Sequence, residues 1–222
     1  MLSVLLPLLL WKSTSKSNNE NGGFIVHFIG FYDYTVLLTY ISLASALIGM
    51  LQASRGNLVF GVCCILFSGF CDMFDGIVAR TKKDRTQDQK NFGIQIDSLT
   101  DVIAFGVTPA VVLYFHGVRS ALGVAILIIY VLCGLIRLAF FNVLETSRQA
   151  NPDESACLKA FRGMPITFSA IITPIVCFIG WLLPYDVSIW LYHIAPALMA
   201  FFFVFDIRIP KLDVGKLLFG KK

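Results

Sequence analysis

The chain contains the two stretches Asp72-Met-Phe-Asp75-Gly76-Ile-Val-Ala79-Arg80 and Gly93-Ile-Gln-Ile-Asp97-Ser-Leu-Thr-Asp101. The first stretch closes a long apolar segment, and the second opens the next one. A carboxylate at or near membrane depth is costly, so it is usually paired, bound to a metal or functional. Four aspartates in two adjoining segments therefore predict a site for divalent cations and for the phosphates that such cations hold.

The first of these stretches forms one predicted stripe of site residues near the end of a helix. Asp72 and Asp75 are three residues apart, so on a helix they share a face. Gly76 and Ala79 continue that face. Because both are small, a ligand can approach the backbone beside the two carboxylates.

The second stretch forms a matching stripe at the start of the following helix. Gly93, Asp97 and Asp101 recur every four residues and so lie on one face. When the stripes meet, four carboxylates converge, and hard oxygen ligands of this kind suit magnesium, manganese or calcium. Two ions bridged by shared carboxylates would clamp a diphosphate. The alternative is that the aspartates pair with the nearby basic residues Arg80, Lys82 and Lys83.

The composition indicates a polytopic membrane protein. Its 222 residues are 57% hydrophobic and 14% charged, whereas a soluble domain is nearer half apolar and a quarter charged. The apolar residues form runs about as long as a bilayer is thick. The basic residues lie in short loops rather than on a face interleaved with aromatic residues, which argues against nucleic acid as a partner. The six cysteines show no metal-ligand or redox spacing.

The hydropathy pattern predicts six spanning segments: Thr35–Gln52, Leu58–Val78, Ile96–Phe115, Ala121–Leu144, Ile166–Leu183 and Val187–Phe205. We expect helices, because lipid cannot satisfy exposed backbone amides. The predicted fold class is therefore an all-α membrane protein, a six-transmembrane-helix bundle. Pro109, Pro174 and Pro196 fall inside three of these segments, and proline often kinks a spanning helix.

The two ends of the chain differ from the predicted bundle. Residues 1–30 are predicted to form a flexible N-terminal extension, residues 31–210 the membrane domain, and residues 211–222 a basic tail. Basic residues are concentrated in the loops after the second and fourth segments and in the tail. Because positive loops remain cytoplasmic, we expect both termini and the aspartates to face the cytoplasm, in a multi-pass protein of the plasma membrane.

The spacing Asp72-x-x-Asp75-Gly76-x-x-Ala79-Arg80 … Gly93-x-x-x-Asp97-x-x-x-Asp101 resembles the signature of the CDP-alcohol phosphatidyltransferases. The residues around it, with Arg137-Leu-Ala-Phe-Phe-Asn142 and Phe161-Arg162-Gly163-Met164-Pro165, resemble the membrane-bound phosphatidylserine synthase branch of that family. The resemblance covers about Tyr32 to Phe205. It implies a six-helix bundle, usually a homodimer, and makes residues 31–210 the family's membrane domain.

The resemblance also implies roles for the four aspartates. Asp72, Asp75 and Asp97 would hold one Mg²⁺ or Mn²⁺ ion, and Asp72, Asp97 and Asp101 a second. Asp101 would act as general base, taking the hydroxyl proton of L-serine as its oxygen attacks the membrane lipid CDP-diacylglycerol. The products would be phosphatidylserine and CMP.

Other residues receive implied or open roles. The resemblance assigns four residues to the pocket for CDP-diacylglycerol: Gly76, Ala79, Arg80 and Gly93. Arg137 fits either a contact with serine or phosphate or a snorkelling or dimer-facing residue, and Arg162 fits either such a contact or a cytoplasmic anchor. Thr39 and Ser42 fit either a nucleotide contact or a hydrogen bond to the backbone four residues back.

The chain departs from the family pattern at one place. Residues Thr81 to Phe92 number twelve, where the family usually has eight. Four residues are close to one helical turn, so the stripes keep their relative facing if the loop absorbs them. Nucleotide contacts that the family makes from within that loop are therefore not assigned to this chain.

Two other functions fit the residues: a related enzyme with glycerol 3-phosphate or inositol phosphate as acceptor, and a divalent cation transporter.

Overall fold

The computed structural model describes residues 30–31, 34–82, 84–150, 161–162, 164–205 and 208–209. Seven α-helices make up most of this part of the chain: α1 Leu37–Ser54, α2 Leu58–Thr81, α3 Gln87–Asp101, α4 Thr108–Phe115, α5 Ala121–Ala150, α6 Ser169–Leu182 and α7 Tyr185–Val204. Short 3-10 turns, Tyr34–Val36 and Ile166–Phe168, precede α1 and α6. Apart from Gly30, the predicted N-terminal extension lies outside the described residues, as does the basic tail.

The helices confirm the prediction of an all-α membrane protein. Among the described residues, five segments are long and apolar enough to cross a membrane, and a sixth, Ile166–Leu182, is apolar but shorter. The third segment begins at Gln87, earlier than the predicted Ile96. Its first turns are polar, so hydropathy does not detect them. A reciprocal capping box between Thr86 and Gln89 begins the helix there.

The third segment changes helix type in its middle. A π-helical turn, Val102–Val107, joins α3 to α4. The Thr108 N–H bonds the carbonyl of Ile103, five residues back, and the Thr108 hydroxyl donates to the same oxygen at 2.8 Å. Pro109 follows and has no N–H, so an uninterrupted α-helix would leave the carbonyl four residues before it without a partner. The sequence predicted a kink at Pro109, and the structure has a π turn just before it.

The carbonyl four residues before Pro109 belongs to Phe105, and it accepts a hydrogen bond from another helix. The hydroxyl of Tyr130 on α5 donates to the Phe105 oxygen at 2.5 Å. The same hydroxyl lies 2.8 Å from the Ser169 Oγ on α6. All three residues are completely buried. Because an unpaired buried carbonyl is destabilising, this bond ties the π turn to α5 and α6 at the centre of the bundle.

Small residues bring α1 and α2 close together. A Cβ added at Gly49 on α1 would lie 2.8 Å from the Cβ of Cys64 on α2, so the close approach needs glycine. The Ser42 hydroxyl donates to the Ser68 carbonyl at 3.4 Å, and the Ser68 hydroxyl donates to the Ser42 carbonyl at 3.0 Å. The Ser42 hydroxyl therefore donates to the neighbouring helix. One of its two predicted roles was a hydrogen bond to its own backbone four residues back, and the structure does not have that bond.

The π turn lies at the centre of the bundle, against α1, α2, α5 and α6. Helix α7 packs on α5 and α6. Two strands of two residues, β1 Phe161–Arg162 and β2 Arg208–Ile209, pair antiparallel with Phe161 opposite Ile209. This pairing places the chain after α5 and the chain after α7 at the same end of the bundle.

Tyr130→Phe should destabilise the protein, because the Phe105 carbonyl loses its donor while the packing volume hardly changes. A buried unpaired carbonyl costs about 1–3 kcal/mol, so the melting temperature in detergent should fall. Tyr185→Phe removes the hydroxyl of a tyrosine that is 70% exposed and is the matched control. Equal melting temperatures for the two variants would contradict the role given to the Tyr130 hydroxyl.

Candidate active site

The structure brings the two aspartate stripes together between α2 and α3. One carboxylate oxygen from each of Asp72, Asp97 and Asp101 lies within 4.8 Å of the other two. The carboxyl group of Asp72 approaches that of Asp101, and the carboxyl group of Asp75 approaches that of Asp97. The four side chains that the sequence placed on two helix faces therefore form one cluster.

This cluster has the chemistry of a divalent cation site. Asp101 is only 8% exposed, and the other three aspartates are half-buried. Carboxylates this close repel one another, more strongly where water is excluded, unless a cation or a proton lies between them. Several carboxylate oxygens at one point are the ligand set that Mg²⁺ and Mn²⁺ prefer. The residues present therefore fit the ions that the sequence predicts.

Neighbouring helices position the carboxylates. The hydroxyl of Thr39 on α1 donates to the Asp75 Oδ2 at 3.3 Å. Thr39 thus contacts a carboxylate of the cluster, a role that the sequence did not predict. On the other side, Asn142 of α5 donates its Nδ2 to the Ser98 Oγ at 3.0 Å. This bond joins α3 to α5 at the residue that follows Asp97.

A cleft of about 630 Å³ opens beside the cluster. Asp75 and Asp97 line one part of it, and Gly76, Ala79 and Gly93 line the wall next to them. A Cβ added at Gly76 would meet no atom within 4 Å, so this glycine faces open space. Three of the four residues that the resemblance assigned to the CDP pocket therefore line one cleft, while the side chain of the fourth, Arg80, lies outside the described residues.

Three basic side chains among the described residues line the same cleft: Lys82, Arg85 and Lys90. Lys82 belongs to the alternative in which basic residues pair with the aspartates, and Lys83 lies outside the described residues. Sequence reasoning did not select Arg85 as a site residue. Its only signal was its place in the stretch from Thr81 to Phe92, which is longer than the family pattern.

Two arginines have open roles, and Arg137 is not among the described residues that line the cleft. Arg137 is 7% exposed on α5, its Nε has no hydrogen-bond partner, and its guanidinium carbon is 5.7 Å from the ring centroid of Phe141. This burial places Arg137 inside the bundle, where it does not snorkel along lipid. Arg162 lies in β1, opposite Arg208, and its side chain is outside the described residues.

Comparison with known proteins identifies relatives over most of the chain. The family model described as CDP-alcohol phosphatidyltransferase matches residues 34–205. A CDP-diacylglycerol--serine O-phosphatidyltransferase of Methanocaldococcus jannaschii is 32% identical over 163 residues, which are 70% of each chain. A Helicobacter pylori protein of the same name is 34% identical over 143 residues, 64% of this chain and 55% of that one.

An archaetidylserine synthase of Methanothermobacter thermautotrophicus is 34% identical over 136 residues, which are 61% of this chain and 53% of that one. The chain thus spans about half the length of this relative and of the H. pylori relative. No solved structure matches the chain.

Asp101→Asn should stabilise the metal-free protein, because it removes one like charge from the cluster with little change of shape. A gain of about 1 kcal/mol would raise the melting temperature in EDTA by roughly 2–4 °C. Asp84→Asn, at an exposed position outside the cluster, is the control and should not change it. Excess Mg²⁺ or Mn²⁺ should stabilise the wild type more than Asp101→Asn. A lower melting temperature of Asp101→Asn in EDTA would show that the four carboxylates do not repel one another.

Proposed function

The chain belongs to the CDP-alcohol phosphatidyltransferase family, and we propose that it transfers a phosphatidyl group from CDP-diacylglycerol to L-serine and releases CMP. The observation that carries this proposal is the convergence of four carboxylates beside a cleft lined by small residues. The printed names of the M. jannaschii and H. pylori relatives support serine as the acceptor.

The aspartates supply the metal ligands in this proposal. Asp72, Asp75 and Asp97 would hold one Mg²⁺ or Mn²⁺ ion, and Asp72, Asp97 and Asp101 would hold the second. The close approach of the second trio's oxygens, within 4.8 Å, supports this assignment. Ions bound there would draw electron density from the diphosphate and stabilise the negative charge on departing CMP. Thr39, by its bond to Asp75, keeps one ligand oriented.

Asp101 also acts as the general base. The serine hydroxyl oxygen attacks the phosphorus that bears diacylglycerol, Asp101 takes the hydroxyl proton, and the bond from phosphorus to the oxygen of CMP breaks. A carboxylate is a weak base for an alcohol, so proton removal is concerted with attack. General base catalysis of this type contributes typically about 10²- to 10⁴-fold. The burial of Asp101 favours this role, because little water reaches the carboxylate.

The remaining site residues bind the substrates. Gly76, Ala79, Arg80 and Gly93 hold the CDP part of the lipid substrate, and the cleft that three of them line supports this. Arg137 contacts the carboxylate of serine or a phosphate, since its buried Nε has no hydrogen-bond partner. Arg162 either makes a similar contact or anchors the chain at the cytoplasmic surface.

We place the protein in the plasma membrane as a homodimer, with its termini and its active site facing the cytoplasm. Thirteen of the eighteen lysines and arginines of the chain lie in residues 80–90, 148–162 and 208–222, around the ends of α2, α5 and α7, and such basic segments remain cytoplasmic. The pairing of β1 with β2 is consistent with this, because it joins two of these basic segments at one end of the bundle. Cytoplasmic serine and CDP-activated lipid would reach the cleft from this side.

The choice of acceptor can be tested with purified protein in detergent containing CDP-diacylglycerol and Mg²⁺ or Mn²⁺. Labelled L-serine should be incorporated into lipid with one CMP released per lipid formed, whereas glycerol 3-phosphate and inositol phosphate should give neither. CMP release with an anionic phosphate acceptor instead of serine would assign the chain to a related enzyme. Cation flux in vesicles without CMP release from any acceptor would favour a transporter.

Gly76→Leu should block nucleotide binding in the cleft without lowering the stability of the fold. The new side chain enters open space, so the melting temperature should not fall, while the nucleotide is displaced and CMP release drops by about a hundred-fold or more. Ala125→Leu makes the same kind of enlargement at an exposed position on α5 and should release CMP at the wild-type rate. Full activity of Gly76→Leu would show that the nucleotide does not bind in this cleft.

A further inference from the structure

We infer that Arg85 binds the phosphate of the nucleotide, namely the phosphate that leaves as part of CMP. This inference rests on the proposed function, because it assigns a ligand to the same cleft. Arg85 lies in the stretch from Thr81 to Phe92, where this chain is longer than the family pattern. The contact would therefore belong to this chain's own version of the site.

The structure holds the Arg85 side chain in place over the cleft wall. Its Nη2 donates to the backbone carbonyl of Gln89 at 3.0 Å. The same atom would lie 2.5 Å from a Cβ added at Gly93, so the guanidinium lies directly against that glycine. Gln89 belongs to the capped first turn of α3. The early start of α3 thus provides the carbonyl that holds the arginine.

Arg85 has hydrogen-bonding capacity that the protein leaves unused. Its Nε is buried and has no hydrogen-bond partner. Thr35, which lines the same cleft, has a buried hydroxyl that is also without a partner. Buried polar groups are normally satisfied, and those that are not often await a ligand or water. Two such groups among the residues that line one cleft indicate that the cleft binds a polar ligand.

Charge balance indicates that this ligand is anionic. Two divalent cations would neutralise the four aspartates, so the two negative charges of a diphosphate diester require positive groups of the protein. Arg85 is a described cation of the cleft whose side chain is fixed by a hydrogen bond. A guanidinium presents a planar set of donors that matches the oxygen atoms of a phosphate.

Arg85 precedes α3, and the place where its guanidinium lies against that helix indicates which half of the substrate it binds. Gly93 is one helical turn before Asp97, about 6 Å along the helix axis. The guanidinium over Gly93 therefore lies beyond the carboxylates on the side where Lys82 and Lys90 also line the cleft. The acyl chains of the substrate belong in lipid, so the CMP half extends toward these charged side chains. Of the two phosphates, the one attached to the nucleoside is the nearer.

The test compares binding of CMP and cytidine to the purified full chain in detergent with Mg²⁺, by calorimetry. Arg85→Gln should weaken CMP binding about ten- to hundred-fold, the range expected for a lost charge-assisted contact. Cytidine binding should not change, because cytidine has no phosphate. Arg55→Gln removes a charge from an exposed arginine in the loop between α1 and α2 and is the matched control. It should bind both ligands like the wild type.

Arg85→Lys distinguishes phosphate binding from a structural role. Lysine keeps the charge but not the planar set of donors, so the loss of CMP affinity should be smaller than in Arg85→Gln. Equal losses in the two variants, with equally lowered melting temperatures, would make Arg85 structural and overturn the inference. Equal weakening of CMP and cytidine, or no weakening of either, would also overturn it. If the wild type binds no CMP, the proposed function itself fails.

Discussion

Repulsion among four carboxylates is the constraint on which the rest of this structure depends. Two helices hold Asp72, Asp75, Asp97 and Asp101 close together, with Asp101 buried and the other three half-buried. Such a cluster is unfavourable without cations, so other contacts in the fold must hold the four side chains close together. Divalent ions bound between the carboxylates would relieve this repulsion, so the repulsion would favour their binding. The site is thus preorganised to bind cations.

The rigidity comes from contacts that surround the cluster and do not belong to it. Asp101 is the last residue of α3, and the π turn begins immediately after it. Tyr130 fixes that turn through the Phe105 carbonyl, and Thr39 orients one carboxylate from α1. Every helix that touches the π turn therefore contributes to the position of Asp101. The arrangement resembles other sites in which a π turn lies within a helix next to functional residues.

Sequence alone predicted the parts of this structure that depend on local periodicity. The apolar runs gave the spanning helices, and the spacing of Asp97 and Asp101 placed both on one face. It did not predict the polar start of α3 at Gln87, because hydropathy responds only to the apolar part of a helix. Contacts between distant segments were also missed, such as that of Thr39 with Asp75. Arg85 was missed because its role depends on where the first turn of α3 places Gln89.

The central claim is that two divalent cations bind between α2 and α3, shared by the four aspartates. Crystals of the protein grown with Mn²⁺ and CMP would test it through the anomalous scattering of manganese. We expect two peaks a few ångströms apart, with Asp72 and Asp97 within ligand distance of both. A map with ordered aspartates and no peak between them, or with a single ion bound to one carboxylate, would contradict the claim.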